Sequence, residues 1–354
     1  VPPTSTHRPP GKAELPDAAP LPSLYRRRAM GLLVILAALG IAGLFSLAFG
    51  ANPMSPVRAW DVLWDRDGTE ASKIVWTVRV PRTLLGVLVG AAFGVAGALI
   101  QALIRNPLAE PGILGVNDGA RFAVTFGVGV FGLTSIDGYI WFAFLGAAAA
   151  TVVVFLIGSA GRGSVSPVTL VLAGVALGAV LRGLSTFLVL IDEETFRAIT
   201  HWGLGSIAGI GPDKILAVLP FIVTGLLIAI ALGGPLNSIA LGDDLAASLG
   251  TKVGRTRVLG VVAVTLLAGG ATALTGGLVF VGLMVPHVVR WFTGPDQRWI
   301  ILYSALAAPV LVLAADVIGR VIVRPGEIEV GIVTAVIGAP VLIALVRRRI
   351  ASGL

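Results

Sequence analysis

Ten stretches of this chain run for roughly twenty residues with few or no charges: 29–50, 80–104, 115–133, 139–158, 168–190, 213–233, 256–275, 276–292, 299–320 and 330–346. A helix needs about 20 mostly apolar residues to cross the hydrocarbon core of a bilayer. Inside lipid every backbone N–H and C=O must be satisfied by the spanning element itself, which leaves only helices and closed barrels. Barrel strands alternate apolar and polar residues, whereas these runs are continuous. The predicted fold class is therefore an all-α polytopic membrane protein with about ten transmembrane helices. The seventh and eighth runs share one long stretch, broken by Gly269-Gly270 and Gly276-Gly277. Composition agrees: 13% of the 354 residues are charged, against about 25% in an ordinary soluble domain, and the mean hydropathy is +0.94.

The formal charge of +7 would suit nucleic acid if it formed a patch, but the basic residues sit at the ends of apolar runs, so no nucleic-acid partner is expected. There is no cysteine, which excludes disulfides and thiolate metal sites. His7, His201 and His287 are too scattered for a metal centre. The proline-rich stretch 1–28 lacks the order of a signal peptide and reads as a disordered tail ending in an arginine cluster, ahead of a membrane domain over 29–354. An even number of spans puts both termini on one side, where Arg26–Arg28 and Arg347–Arg349 join Arg105, Arg162, Lys252, Arg255, Arg257, Arg290 and Arg298. The other side holds Asp61, Asp65, Asp67, Glu70, Asp192, Glu193, Glu194, Glu327 and Glu329, mixed with Arg58, Arg66, Lys73, Arg79 and Arg324. The bias of basic residues predicts cytoplasmic termini. Gly86, Gly90 and Gly94 fall on one helix face, spacing that favours close packing within the protein over a dedicated dimer seam.

Four segments carry more than hydrophobicity. "RNPLAEPGILGVN" (105–117) sets Pro107 and Pro111, which cannot continue a helix, beside Gly112 and Gly115, which permit turns. The expected product is a stiff, irregular connector, tolerated near the membrane only under cover of protein or a water-filled cavity. In 233–257, "GDDLAASLG" reads as a short helix with Asp243 and Asp244 at its positive end and Gly250 as its stop. Leu241, Leu245 and Leu249 give it an apolar edge, expected to dock another protein rather than lie on an anionic leaflet that would repel the acidic start. His287, after Pro286, is expected to be a hydrogen-bonded helix-end histidine rather than a proton carrier. Asp316 and Arg320 are four apart and could pair along one helix face.

Certain activities fall away. The phosphate-binding pattern G-x-x-x-x-G-K-[ST] does not occur, so the chain is not expected to hydrolyse ATP itself. No nucleophile–base set or ligand cluster lies within the spans, so no catalytic residue is assigned and an intramembrane enzyme is disfavoured. An ion-coupled secondary transporter stays open as a weaker alternative, with Asp316 the only acid deep in a late span.

Together these segments resemble the FecCD-type permeases of bacterial ABC importers, which import ferric siderophores, haem and cobalamin. The resemblance runs from about residue 75 onward and rests on "RVPRTLLGVLVGAAFGVAGALIQALIRNPLAEPGILGV" (79–116), "LVLAGVAL" (170–177), "LNSIALGDDLAASLG" (236–250), "GLVFVGLMVPHVVR" (277–290), "GPDQR" (294–298), "AD" (315–316) and "VGIVTAVIGAPV" (330–341). It implies a type II importer permease in the bacterial cytoplasmic membrane. Its implied partners are a second permease, identical or paralogous, two ATPase subunits that bind ATP and Mg, and an extracytoplasmic binding protein. No cofactor is implied in this chain. A ferric siderophore is the first-choice cargo, with haem or cobalamin as alternatives. The family's coupling region falls on 236–257, with Leu241, Gly242, Asp243, Asp244, Leu245, Leu249 and Gly250 at the ATPase contact. Its cytoplasmic gate falls on Asn106 and Leu108 with Ser166, Pro167 and Val168. Binding-protein docking falls on Arg58, Arg66 and Arg320, with Arg324 in reserve. Pro167 is atypical of the family, as is Arg121, where a small or apolar residue is usual and Asp118 is the expected neutralising partner. Arg182 is expected to face a pathway, a partner helix or the outer surface.

Overall fold

Each apolar run becomes a helix, and the polar intervals become turns or short amphipathic helices. The computed structural model describes residues 21–50, 53–133, 135–159, 167–324 and 326–351. Ten longer helices match the ten runs: α1 (Leu21–Ala48), α3 (Glu70–Ile104), α4 (Val116–Phe131), α5 (Ile136–Ser159), α6 (Pro167–Ile191), α8 (Pro212–Ile239), α10 (Val253–Thr275), α11 (Val281–Thr293), α12 (Gln297–Ile322) and α13 (Val330–Ala351). Three short helices lie between them: α2 (Pro56–Trp64), α7 (Glu193–Gly203) and α9 (Asp243–Ser248). Among the described residues there is no strand. α1 begins at Leu21, inside the stretch read as a tail, while residues 1–20 lie outside the described residues.

Seven of these helices are long and apolar enough to cross a bilayer alone. α4, α11 and α13 are not among them; α13 is apolar only over Val330–Ala344, and α4 and α11 have 16 and 13 residues, about 24 and 20 Å of helix against a hydrocarbon core of ~30 Å. The missing length is made up by irregular backbone, 105–115 ahead of α4 and 276–280 ahead of α11.

α3 is the central post. Its most apolar window is 78% buried, while those of α1 and α6 are 17% buried, so α3 is wrapped by protein and the other two present most of their surface outward. Glycines permit the tightest approaches. A Cβ on Gly90 would lie 2.6 Å from the Pro309 Cα of α12, and one on Gly94 would meet the Ser304 carbonyl at 2.6 Å. A Cβ on Gly97 would overlap the Gly282 carbonyl at the start of α11. The glycine stripe read from sequence thus packs within the chain, letting backbones meet where dispersion and close polar contacts hold helices together in lipid.

A small satellite core caps the predicted outer side. Ser55 accepts the Arg58 amide at 3.1 Å and Pro56 supplies the first turn of α2, the usual chemistry of a helix start. Ala59 and Val62 then pack on Leu47, Ala48 and Val75. Trp60 and Trp64 on the same helix stay exposed, where amphipathic rings suit a membrane–water interface.

Gly97→Val should disrupt the α3–α11 contact by forcing backbone apart, at a cost of at least 1–3 kcal/mol as for overpacked cores (about this range). The check is thermal unfolding in detergent, with Gly40→Val as control, since a Cβ there meets nothing within 4 Å.

Candidate functional site: two broken helices between two ion-pair clamps

The connector 105–115 is held in shape by its own side chains. Arg105 ends α3 in the left-handed conformation, φ 54°. Asn106 Oδ1 accepts the Leu108 amide at 2.9 Å, and the Asn106 carbonyl accepts the Ala109 amide at 3.0 Å, a local turn of the kind asparagine favours. Leu108 is exposed while Ala109 is fully buried. Pro111–Leu114 form one 3-10 turn, and Gly115, at φ 76°, starts α4.

The second break is pinned to the first. Phe280, left-handed at φ 66°, precedes α11, and its amide donates to Glu110 Oε1 of the connector at 3.1 Å. Gln101 donates to the carbonyls of Gly282 at 3.3 Å and Leu283 at 3.0 Å. Thr272, near the end of α10, donates to Asn117 Oδ1 at 3.0 Å at the start of α4. Backbone groups that leave a helix in an apolar setting are costly unless partnered, and here side chains of α3 and the connector supply partners at both breaks.

One clamp lies on the predicted cytoplasmic side. Asp243, the first residue of α9, forms ion pairs with Arg105 at the end of α3 and with Arg257 of α10, the latter at 2.8 Å. α9 is closed by Gly250 (φ 84°), whose amide donates to the Ala247 carbonyl while the Thr251 amide reaches the Ala246 carbonyl, a Schellman end. Gly242 enters at φ 112°, a conformation that favours glycine. Ala246 is buried, so the helix is anchored by that face, while Leu241, Leu245 and Leu249 are 62%, 49% and 61% exposed. Asp244 is exposed beside them. The short helix, its acidic start and its Gly250 stop are where the sequence puts them, with Leu241 and Leu249 just beyond its ends.

The other clamp lies on the opposite side. Asp316, 1% exposed, sits between Arg82 and Arg320, each at 2.7 Å, and Arg82 also meets Glu327 at 2.8 Å. Arg320 donates further to the carbonyls of Ser46 at 3.0 Å and Phe49 at 2.7 Å, and Arg79 to those of Leu47 at 2.6 Å and Ala48 at 2.8 Å. Two arginines thereby help cap the carbonyls at the end of α1.

The gate and docking residues fall into place unevenly. Val168 is exposed at the start of α6; Ser166 lies outside the described residues, as does the side chain of Pro167. The close backbone contact between the connector and α6 is made by Ile113, whose carbonyl a Cβ on Gly174 would overlap. Arg58 is exposed and pairs with Asp67, Arg66 stacks 3.7 Å over Trp76, and Arg324 is exposed. Arg320 is 5% exposed and enclosed by the clamp, so it offers no surface to a partner in this conformation. Asp118 pairs with Arg182 of α6 at 2.7 Å, where Arg121 was the expected partner: the neighbouring helix brings a guanidinium closer than the same-helix residue one turn on. His287 is buried on α11 with its ring edge-on to Trp291. Among the described residues, no three His, Asp or Glu come together as a metal site.

Gln101, Glu110, Phe280 and Arg82 were not singled out from the sequence. Gln101 had a signal, as the one polar side chain between Leu84 and Ile104. The others are recognisable only through partners distant in the chain.

A bundle of apolar helices, two of them entered through irregular backbone and pinned to each other, defines a multi-pass membrane protein. The chain belongs to the FecCD transport family, which matches residues 36–348. It is 45% identical to the ferric enterobactin transport system permease protein FepD of Escherichia coli (strain K12), over 91% of this chain and 96% of that one. It is 36% identical to the probable siderophore transport system permease protein YfiZ of Bacillus subtilis (strain 168), over 86% of this chain and 91% of that one. The hemin transport system permease protein HmuU of Yersinia pestis is 32% identical, over 91% and 96% respectively. A solved inward-facing structure of a metal-chelate type ABC transporter superposes with a TM-score of 0.79 at 28% identity, covering 90% of this chain and 99% of that one.

Asp316→Asn would leave buried Arg320 without its ion-pair partner and Arg82 with Glu327 alone. Breaking a buried pair costs ~3–5 kcal/mol, so the unfolding midpoint in detergent should fall well below that of the parent protein.

Proposed function

We propose that the chain is the permease of an ABC importer that passes a ferric siderophore across the bacterial cytoplasmic membrane, with both termini inside. Two permeases would form the path, two ATPase subunits would bind ATP and Mg below it, and an extracytoplasmic protein would deliver the cargo. The observation that carries this reading is the Asp243 clamp. The exposed leucine edge of α9 is one ion pair away from Arg105, the first residue of the connector. A force applied to Leu245 and Leu249 by an ATPase would therefore reach Asn106 and Leu108 directly, and through Glu110 and Phe280 the second break. Similarity to the ferric enterobactin permease at 45% identity supports the cargo class. Arg58, Arg66 and Arg324 would meet the delivering protein, where exposed charge steers encounter more than it holds a complex. Haem is the second reading, favoured by the 32% identity to a hemin permease. Neither cargo is chemically altered in passage.

Leu245→Asp and Leu249→Asp together should abolish co-purification of the ATPase subunit and import of labelled ferric enterobactin, while leaving the variant at parental abundance in the membrane. Retained co-purification would contradict docking at this edge. Import of labelled haem in place of ferric enterobactin by the parent protein would favour the second cargo.

A further inference from the structure

Asp118, Arg121 and Arg182 form a charged group at half the depth of the bundle. α4 lies against α5 so that a Cβ on Gly119 would meet Gly146 and Ala150, near the midpoint of Ile136–Ser159. Asp118 and Arg121 flank Gly119, so neither can reach a membrane surface by simple extension. Gly178 of α6 leaves the room that the Asp118 carboxylate occupies, and a Cβ there would collide with Asp118 Oδ2. The Arg182 side chain is 55% exposed although paired with Asp118. Arg121 is also exposed, and its charge acts on the same carboxylate.

Two guanidinium groups and one carboxylate leave a net positive charge. Lipid tails are a poor neighbour for it, and charged side chains at this depth face a water-filled path or another protein. A second copy of the chain would bring like charge to like charge, which disfavours a symmetric contact. The position favours the path: Asp118 follows directly on Asn117, which pins the end of the connector to α10.

We propose that Arg121 and Arg182 form a cationic station midway along the pathway, which takes the anionic oxygens of a ferric chelate and holds it beside the broken-helix connector. Asp118 positions Arg182 and tempers the charge, so that the chelate is held but released. A planar guanidinium offers paired donors to such oxygens and carries its charge at any working pH. The inference rests on the permease reading above.

The test uses the intact transporter with its ATPase, supplied with iron-labelled ferric enterobactin, a tris-catecholate whose phenolates outweigh the charge of Fe(III). Arg121→Gln and Arg182→Gln should each lower import about tenfold, the loss of one charge-assisted hydrogen bond. Arg121→Lys and Arg182→Lys should keep most of it, with assembly and basal ATP hydrolysis unchanged in all four variants. Undiminished import by both glutamine variants would overturn the station. So would equal loss in the lysine and glutamine variants with failed assembly, which would assign the arginines to a protein interface. Absence of import by the parent transporter would instead overturn the cargo reading, and the station with it.

Discussion

A polypeptide that leaves its helix inside hydrocarbon must find new partners for the backbone groups it frees. Each unsatisfied amide or carbonyl there costs several kcal/mol (order of magnitude), so two breaks in one bundle survive only if other residues supply the bonds. Gln101 serves the carbonyls at the start of α11, Glu110 serves the Phe280 amide, and Asn106 folds the connector on itself. Because Glu110 belongs to one break and Phe280 to the other, neither can rearrange alone. The prolines and left-handed residues around them limit the shapes available, which makes a small set of discrete arrangements more natural than a flexible loop.

The ion pairs at the two ends complement that centre. Asp243 joins three helices at the predicted inner side, and Asp316 joins α3, α12 and, through Arg320, the end of α1 at the other. The inner clamp is partly exposed, with Asp243 and Arg105 both accessible, so water and partners can compete for it. The outer clamp is buried and would be costly to open. The asymmetry suits a bundle whose outer ends stay together while its inner edge is pushed.

Much of this was legible in the sequence because hydrophobic length is a local property. All ten runs became helices, and the short acidic helix with its leucine edge and glycine stop follows from eight or nine neighbouring residues. What was not legible is pairing at a distance. Arg82 is 234 residues from Asp316, and Arg182 is 64 from Asp118; nothing in either local stretch names its partner. The same limit explains Arg320: its pairing with Asp316 was legible from their four-residue spacing, but its burial against α1 was not. Two amphipathic helices, α2 and α7, went unread, although Ser55-Pro56 marks the start of the first. Their apolar faces are too short to stand out beside runs of twenty or more.

The proposed account makes the chain a passive path whose inner edge is driven by an ATP-consuming neighbour. Its most direct test is import into proteoliposomes containing the purified permease, with and without the ATPase subunit and ATP, the delivering protein being present throughout. The account predicts accumulation of ferric siderophore only when both ATPase and ATP are supplied. Accumulation by the permease alone, driven by an imposed proton gradient, would contradict it.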